Sequence, residues 1–210
     1  MMVRKKIPEK SVERICRYRE ILLEYQSIGK EFIFSHELAS EVRVSPAQVR
    51  RDLMYFHLKG VPQQGYRVSE FLYEIDDLID PKEVQDVILI GVGNLGKAIL
   101  SYFTHKRPKL SIVAAFDVDA NKVDRVISGC ECFHMRDLQK FTREREIKIA
   151  IITVPAQEAQ AIANTLVESG IRGILNFSPV LLKVPADVYL ECIDITTSLE
   201  KTVYFSRGRR

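Results

Sequence analysis

Three glycines with the spacing G-x-G-x-x-G, followed about twenty residues later by a carboxylate, are the residues of this chain best suited to chemistry. They stand in Gly91-Val92-Gly93-Asn94-Leu95-Gly96, and the acid is Asp117. A bound diphosphate needs N–H donors and no side chain in its way. Gly91 permits a tight turn, Gly93 lets the backbone approach a pyrophosphate, and Gly96 lets a following helix lie close to the preceding strand. The diphosphate then rests on N–H groups at the positive end of the helix dipole. A carboxylate at Asp117 accepts hydrogen bonds from the 2′- and 3′-hydroxyls of an adenosine ribose and repels a 2′-phosphate, which favours NAD(H) over NADP(H). Asp119 competes for that role, and CoA or another adenine nucleotide fits the same motif.

Glycine triplets are weak evidence alone, so the elements around this one matter. The apolar run 87–90 reads as a strand leading into Gly91. Residues 97–103 read as a helix with Ala98, Ile99 and Tyr102 on one side, and 110–117 is a second strand ending at the acid. Strand and helix signals then alternate. A short strand surrounds 131–133, a helix runs from Asp137 to about Arg145, and 148–154 is a buried strand closed by Pro155. The helix 156–169 ends at Gly170, and strands cover 174–177 and 188–193. Such alternation predicts an α/β domain, a doubly wound parallel sheet that binds nucleotides at the carboxyl ends of its strands. Val118 beside the acid, Thr153, Val154 and Pro155 after the fourth strand, and Asn176, Phe177 and Pro179 after the fifth are therefore candidate cofactor contacts. Pro and Asn at strand ends serve equally well as plain loop formers.

The first third has a different character. Residues 1–67 carry 13 Lys+Arg against 8 Asp+Glu, whereas the rest carries 18 against 20. Residues 11–28 have apolar side chains at helical spacing, 31–34 suit a small strand, and Ser35 can cap a second helix with Leu38 and Ala39 inward. A third helix starts at Ser45, with Pro46 at its first position, Gln48 completing a capping box and Val44 stapling to Val49. Val49, Leu53 and Phe56 form its buried stripe. Gln48, Arg51, Asp52 and Tyr55 are expected outward, with Arg50 on the shoulder. Helix, short turn and helix with such an outer face suits a helix-turn-helix reading DNA, since Arg pairs with guanine and Gln with adenine. Residues 59–68 then read as the hairpin wing of a winged helix. The candidate DNA contacts are Ser45, Gln48, Arg50, Arg51, Tyr55, Lys59, Gln63, Gln64 and Tyr66; a solvated charged face is the alternative. The acidic stretch 69–80, ended by Pro81, is expected to be the domain boundary.

The four cysteines form no C-x-x-C pair and Cys130-x-Cys132 lacks partners, so neither zinc nor any other metal is expected. The four histidines, His36, His57, His105 and His134, make no acid/base constellation, which argues against an enzyme. Neither a leader nor an apolar run of membrane length is present, so the expectation is a soluble cytoplasmic protein. In the tail, Leu199, Val203 and Tyr204 or Phe205 give an apolar helical face with no chain left to cover it. That face predicts a homodimer, with Arg207, Arg209 and Arg210 either disordered or adding weak attraction for phosphate.

Several motifs in fixed order resemble one family, the Rex redox-sensing transcriptional repressors. They are Gln48-Val-Arg-Arg-Asp-Leu-Met-Tyr-Phe56, the glycine turn 91–96, Phe116-Asp-Val-Asp119, Val154-Pro-Ala156, Gly173-Ile-Leu-Asn-Phe177 and Ile193-Asp-Ile195. The resemblance spans nearly the whole chain. It implies a winged-helix DNA-binding domain (1–80), a Rossmann NAD(H)-binding domain (81–195) and a C-terminal helix (196–210) swapped between the subunits of a dimer. It further implies that an inverted-repeat operator is held in the free or NAD⁺-bound state and released by NADH. By motif match, Tyr102 and Asp194 would lie near the nicotinamide. The family's wing commonly carries a basic residue and glycines where this chain has Val61-Pro-Gln-Gln64. Its first helix tends to offer an Arg to the nicotinamide region, where this chain has Arg19 or the acidic Glu20. A divergent member is therefore expected, with a different operator or a weaker response to NADH. An NAD-dependent oxidoreductase and a nucleotide- or CoA-binding interaction module are the rival functions.

Overall fold

The computed structural model describes residues 7–55, 60–61, 63–80, 83–103 and 109–207. Phe56, His57, Lys59, Pro62, Pro81, His105, Arg209 and Arg210, with the side chain of Tyr55, lie outside the described residues. The chain divides into two compact units, Met1–Lys82 and Glu83–Arg210.

In the first unit, α1 (Glu9–Ser27), β1 (Phe32–Ile33), α2 (Ser35–Glu41), α3 (Pro46–Tyr55), β2 (Tyr66–Arg67) and α4 (Val68–Ile79) enclose one core. Ile15, Tyr18 and Leu22 of α1 meet Leu38 of α2, Val49 and Leu53 of α3 and Phe71 and Ile75 of α4 there. β1 and β2 pair antiparallel, Ile33 with Tyr66. The acidic stretch is not an irregular segment: it forms α4, and the first unit ends just after it, at Lys82. Phe71, Leu72 and Ile75 recur at helical spacing and are buried, so the carboxylates only form the outer face of α4. Ser35 is not the cap of α2 either. It is the first helical residue, and Glu37 reaches back to accept the Phe34 N–H at 2.7 Å.

The second unit contains β3 (Gln85–Ile90), α5 (Asn94–Phe103), β4 (Leu110–Asp117), β5 (Arg125–Ile127), β6 (Cys130–His134), α6 (Leu138–Glu144), β7 (Ile149–Ile152), α7 (Ala156–Glu168), β8 (Gly173–Asn176), β9 (Tyr189–Cys192) and α8 (Ile195–Arg207). Its sheet has the order β5-β6-β4-β3-β7-β8-β9. Every pairing is parallel except that of β5 with β6. Chain order reverses at β3, which makes the sheet doubly wound and Rossmann-like. Alternation along β3 feeds two cores: Ile88 and Ile90 pack with α7 on one face, Val87 and Leu89 with α5 on the other.

The buried face of α5 is Gly96, Ile99 and Leu100, an i, i+3, i+4 stripe that starts at the glycine. Tyr102 is left 59% exposed. The edge strand β5 has no apolar alternation to announce it. The signal that marks it is the Ser128-Gly129 turn, both residues at positive φ, joining β5 to β6. Helix α8 buries none of its residues.

Candidate nucleotide-binding site and nucleic-acid interface

Parallel register brings the predicted nucleotide residues to one rim. Ile90 pairs with Phe116 on one side and with Ile152 on the other, and Ile152 pairs with Asn176. Gly91, Asp117, Thr153 and Phe177 therefore leave the sheet side by side. Three further hydrogen bonds continue the ladder past the strands: Gly91 N–H to Phe116 O at 2.8 Å, Thr153 N–H to Ile90 O at 2.9 Å, and Phe177 N–H to Ile152 O at 2.9 Å.

The three glycines have distinct reasons to be glycine. Gly91 has φ +95°, and a Cβ there would lie 2.8 Å from Val154 Cγ1. A Cβ on Gly96 would lie 2.2 Å from the Gly91 carbonyl oxygen, so α5 can sit this close to the turn only without one. At Gly93 a Cβ would meet nothing within 4 Å. Protein packing thus explains Gly91 and Gly96 but leaves Gly93 to be explained by close approach of something else. Asn94 and Leu95 open the first turn of α5, where backbone N–H groups lack partners within the helix.

Asp117 is 8% exposed. Its Oδ2 accepts the Val92 N–H at 2.8 Å and the Lys122 ammonium at 3.0 Å, and its Oδ1 accepts the Asp119 N–H at 2.9 Å. Burial alone would raise its pKa, but the Asp119 N–H, Lys122 and the Val92 N–H together hold it below the ordinary carboxylate value. Asp119 faces Asn121 instead, accepting its backbone and side-chain N–H. Of the two candidate acids, Asp117 is therefore the one joined to the glycine turn. Lys122 was not anticipated; a cation five residues past the acid is the signal for it. Val118, 66% exposed, follows Asp117 at the rim.

The other rim residues build the loops. Thr153 Oγ1 donates to the carbonyls of Ile90 or Gly91, at 3.0 and 2.6 Å. Asn176 is fully buried. Its Oδ1 accepts Ser178 N–H, and its Nδ2 donates to Ser178 O and Val180 O. Ser178 Oγ donates to Val154 O at 2.6 Å, tying the turn after β7 to the turn after β8. The Asn176 side chain thus shapes the loop, while Pro155 and Pro179 are exposed and Phe177 is half-buried against the α5-side core. Asp194 caps α8 by accepting Thr197 Oγ1–H at 2.6 Å and Thr197 N–H at 3.0 Å. Those two bonds lower its pKa.

In the first unit α2 and α3 form the helix-turn-helix. Ser45 caps α3, its Oγ accepting the Gln48 N–H at 3.1 Å. The capping box is only half made, because the Gln48 carboxamide donates to Asp52 Oδ1 at 3.0 Å instead. Asp52 does not face outward as expected; it is 0% exposed. One helical turn beyond Gln48, it meets Ser11, Arg14 and Tyr18 of α1, whose donors satisfy it. Arg50 and Arg51 are exposed, and Arg50 donates to Ser35 Oγ at 3.2 Å. Gln63 and Gln64 are exposed on a tight turn closed by Val61 N–H to Gly65 O at 2.7 Å. Tyr66 lies differently from an outward DNA contact, its ring tilted against Phe71 at 5.3 Å. Burial raises its pKa, partly offset by the charge of Arg50. Arg43, exposed in the turn between the helices at φ 57°, is a further cation on this face. Arg19 is held by Asp76 at 2.7 Å and Asp80 at 2.9 Å.

Comparison with known proteins decides the family. The chain is 40% identical over 200 residues to the redox-sensing transcriptional repressor Rex of Listeria welshimeri, covering 95% of this chain and 93% of that protein. This chain belongs to the Rex family of redox-sensing transcriptional repressors. The Rex of Geobacillus kaustophilus is likewise 40% identical, over 97% of this chain and 95% of its own length. Among solved structures, RSP, a Rex-family repressor, in complex with NAD⁺ and operator DNA matches with a TM-score of 0.89 at 30% identity, covering 97% of this chain and 94% of that one. Its complex with NADH matches at 0.86 with the same identity. The family models described as "CoA binding domain" and "Putative DNA-binding protein N-terminus" match residues 82–180 and 6–53. Among the described residues no helix is long and apolar enough to cross a membrane.

Proposed function

We propose that this chain is a dimeric repressor, not an enzyme, that acts in the cytoplasm. It holds an inverted-repeat operator through α3 and the turn 61–65, and lets go when NADH occupies the glycine-rich rim. The observation that carries the reading is Gly93: the sheet around it accounts for the other two glycines, whereas this one suits a pyrophosphate resting on the start of α5. Asp117 then takes the adenosine ribose, with Val118, Thr153, Val154, Pro155, Phe177 and Pro179 bordering the cofactor. On the family pattern Tyr102 and Asp194 come near the nicotinamide. Residues 1–80 form the DNA-binding domain, 81–195 the cofactor domain, and 196–210 the arm that joins two copies. Leu199, Val203, Tyr204 and Phe205 of α8 are 40–73% exposed, an apolar surface that a second chain would cover.

Fluorescence anisotropy of a duplex selected from random sequence, titrated separately with NADH, NAD⁺, NADPH and CoA, tests this reading. Release by NADH alone is the expected result. Release by CoA alone would make the rim a CoA site, the second reading favoured by the match over residues 82–180. A duplex retained under all four would leave a DNA-binding protein without redox sensing.

A further inference from the structure

We propose that the buried Asp52 carboxylate is a positioning residue that fixes which way round the Gln48 carboxamide faces, and thereby which bases the outer face of α3 accepts. This deepens the DNA-binding reading and rests on it. Asp52 accepts five hydrogen bonds. Arg14 grips both oxygens at 2.6 Å, Ser11 Oγ and Gln48 Nε2 reach Oδ1 at 3.1 and 3.0 Å, and Tyr18 Oη reaches Oδ2 at 3.1 Å. A carboxylate held this way by a guanidinium is ionised and can only accept.

A carboxamide has one end that donates and one that accepts. Facing an acceptor, Gln48 must turn its nitrogen inward, because the reverse would set two oxygens against each other. Its Oε1 is then the outward acceptor, with the second N–H beside it. In a major groove that pair complements adenine, whose N6 amino group donates and whose N7 accepts. The oxygen alone also suits the N4 amino group of cytosine, whereas guanine O6/N7 and thymine O4 offer it no donor and can meet only the remaining N–H, one bond in place of two. Arg50 and Arg51 next to it carry only donors, so their sense cannot be reversed. Base choice at one operator position is thus set by a residue that never touches DNA.

The test is selection from random duplexes, followed by anisotropy on duplexes that differ at a single position, for wild type, Gln48→Ala and Asp52→Asn. Wild type is expected to prefer adenine at one position of each half-site by about ten-fold or more. Gln48→Ala should lose that preference and no other. Asn at position 52 can donate as well as accept, so the carboxamide is released to turn. Asp52→Asn should then admit guanine or thymine at that position, with other positions and the salt slope unchanged. An adenine preference retained in Asp52→Asn, or preferences unaltered by Gln48→Ala, overturns the proposal.

Side-chain amide exchange on the wild-type protein decides the matter even where Asp52→Asn fails to fold. One Gln48 Nε2 proton should be protected from water, and fast exchange of both overturns the proposal. A wild-type protein that enriches no duplex would instead overturn the DNA-binding reading itself.

Discussion

The Asp117 carboxylate accepts the backbone N–H of Val92 at 2.8 Å, so the acid at the end of β4 and the glycine turn after β3 form one piece. A change at either end is therefore felt at the other. Asp117→Asn should weaken NADH binding by about ten- to hundred-fold, the usual loss for a charged acceptor of hydroxyl hydrogen bonds. It should also narrow the preference for NADH over NADPH, since the charge facing a 2′-phosphate is gone. Calorimetric titration with both nucleotides checks this. Unchanged affinity for NADH would remove Asp117 from the ribose site.

Gly93 and Gly96 should separate binding from stability. Gly96→Ala places a Cβ 2.2 Å from a backbone oxygen and should destabilise the second unit by about 1–3 kcal/mol or more, seen as a lower denaturation midpoint. Gly93→Ala meets nothing in the protein and should leave the midpoint nearly unchanged while NADH affinity collapses. Equal losses of stability in the two variants would show that Gly93 is a packing glycine.

Asp52→Ala leaves the Arg14 guanidinium facing α3 without its carboxylate. Breaking a buried pair from one side costs about 3–5 kcal/mol. The loss should appear in denaturation of the first unit and not of the second, followed by circular dichroism and by protease sensitivity.

The same carboxylate gives the first unit an acid limit. Burial would raise the Asp52 pKa, but hydrogen bonds from Arg14, Gln48, Ser11 and Tyr18 more than offset this, and the native value lies below the ordinary 3.8. A depressed native pKa means that the unfolded chain takes up the proton more readily. The stabilisation is therefore complete above about pH 3.8 and is lost as pH falls through the native value. Stability of the first unit measured against pH should fall below that point, and Asp52→Asn should flatten the curve.

Replacing Leu199 and Val203 by Asp puts charge on the apolar face of α8. The expected outcome is a halved solution mass by light scattering and about ten-fold or weaker operator binding, because two linked half-sites bind more tightly than one. An unchanged mass would remove α8 from the proposed dimer contact.

The parallel sheet and its rim were legible because apolar strands, glycine turn and acid each declare themselves within a few residues. What stayed hidden depended on partners distant in sequence. Asp52 looks like an outward helix acid until Ser11, Arg14 and Tyr18, 34 to 41 residues earlier, are folded against it. The helix over 69–80 was not foreseen because its charges outweigh the three apolar side chains that bury it.

Helix α8 has 13 residues and none of them is buried. A lone helix of that length is marginal in water. In the proposed dimer its order would come from the partner that covers it, so folding of the last segment and pairing of two chains would be a single event. Amide protons of residues 195–207 should therefore exchange faster as the protein is diluted, while those of β3 and β7 keep one rate at every concentration.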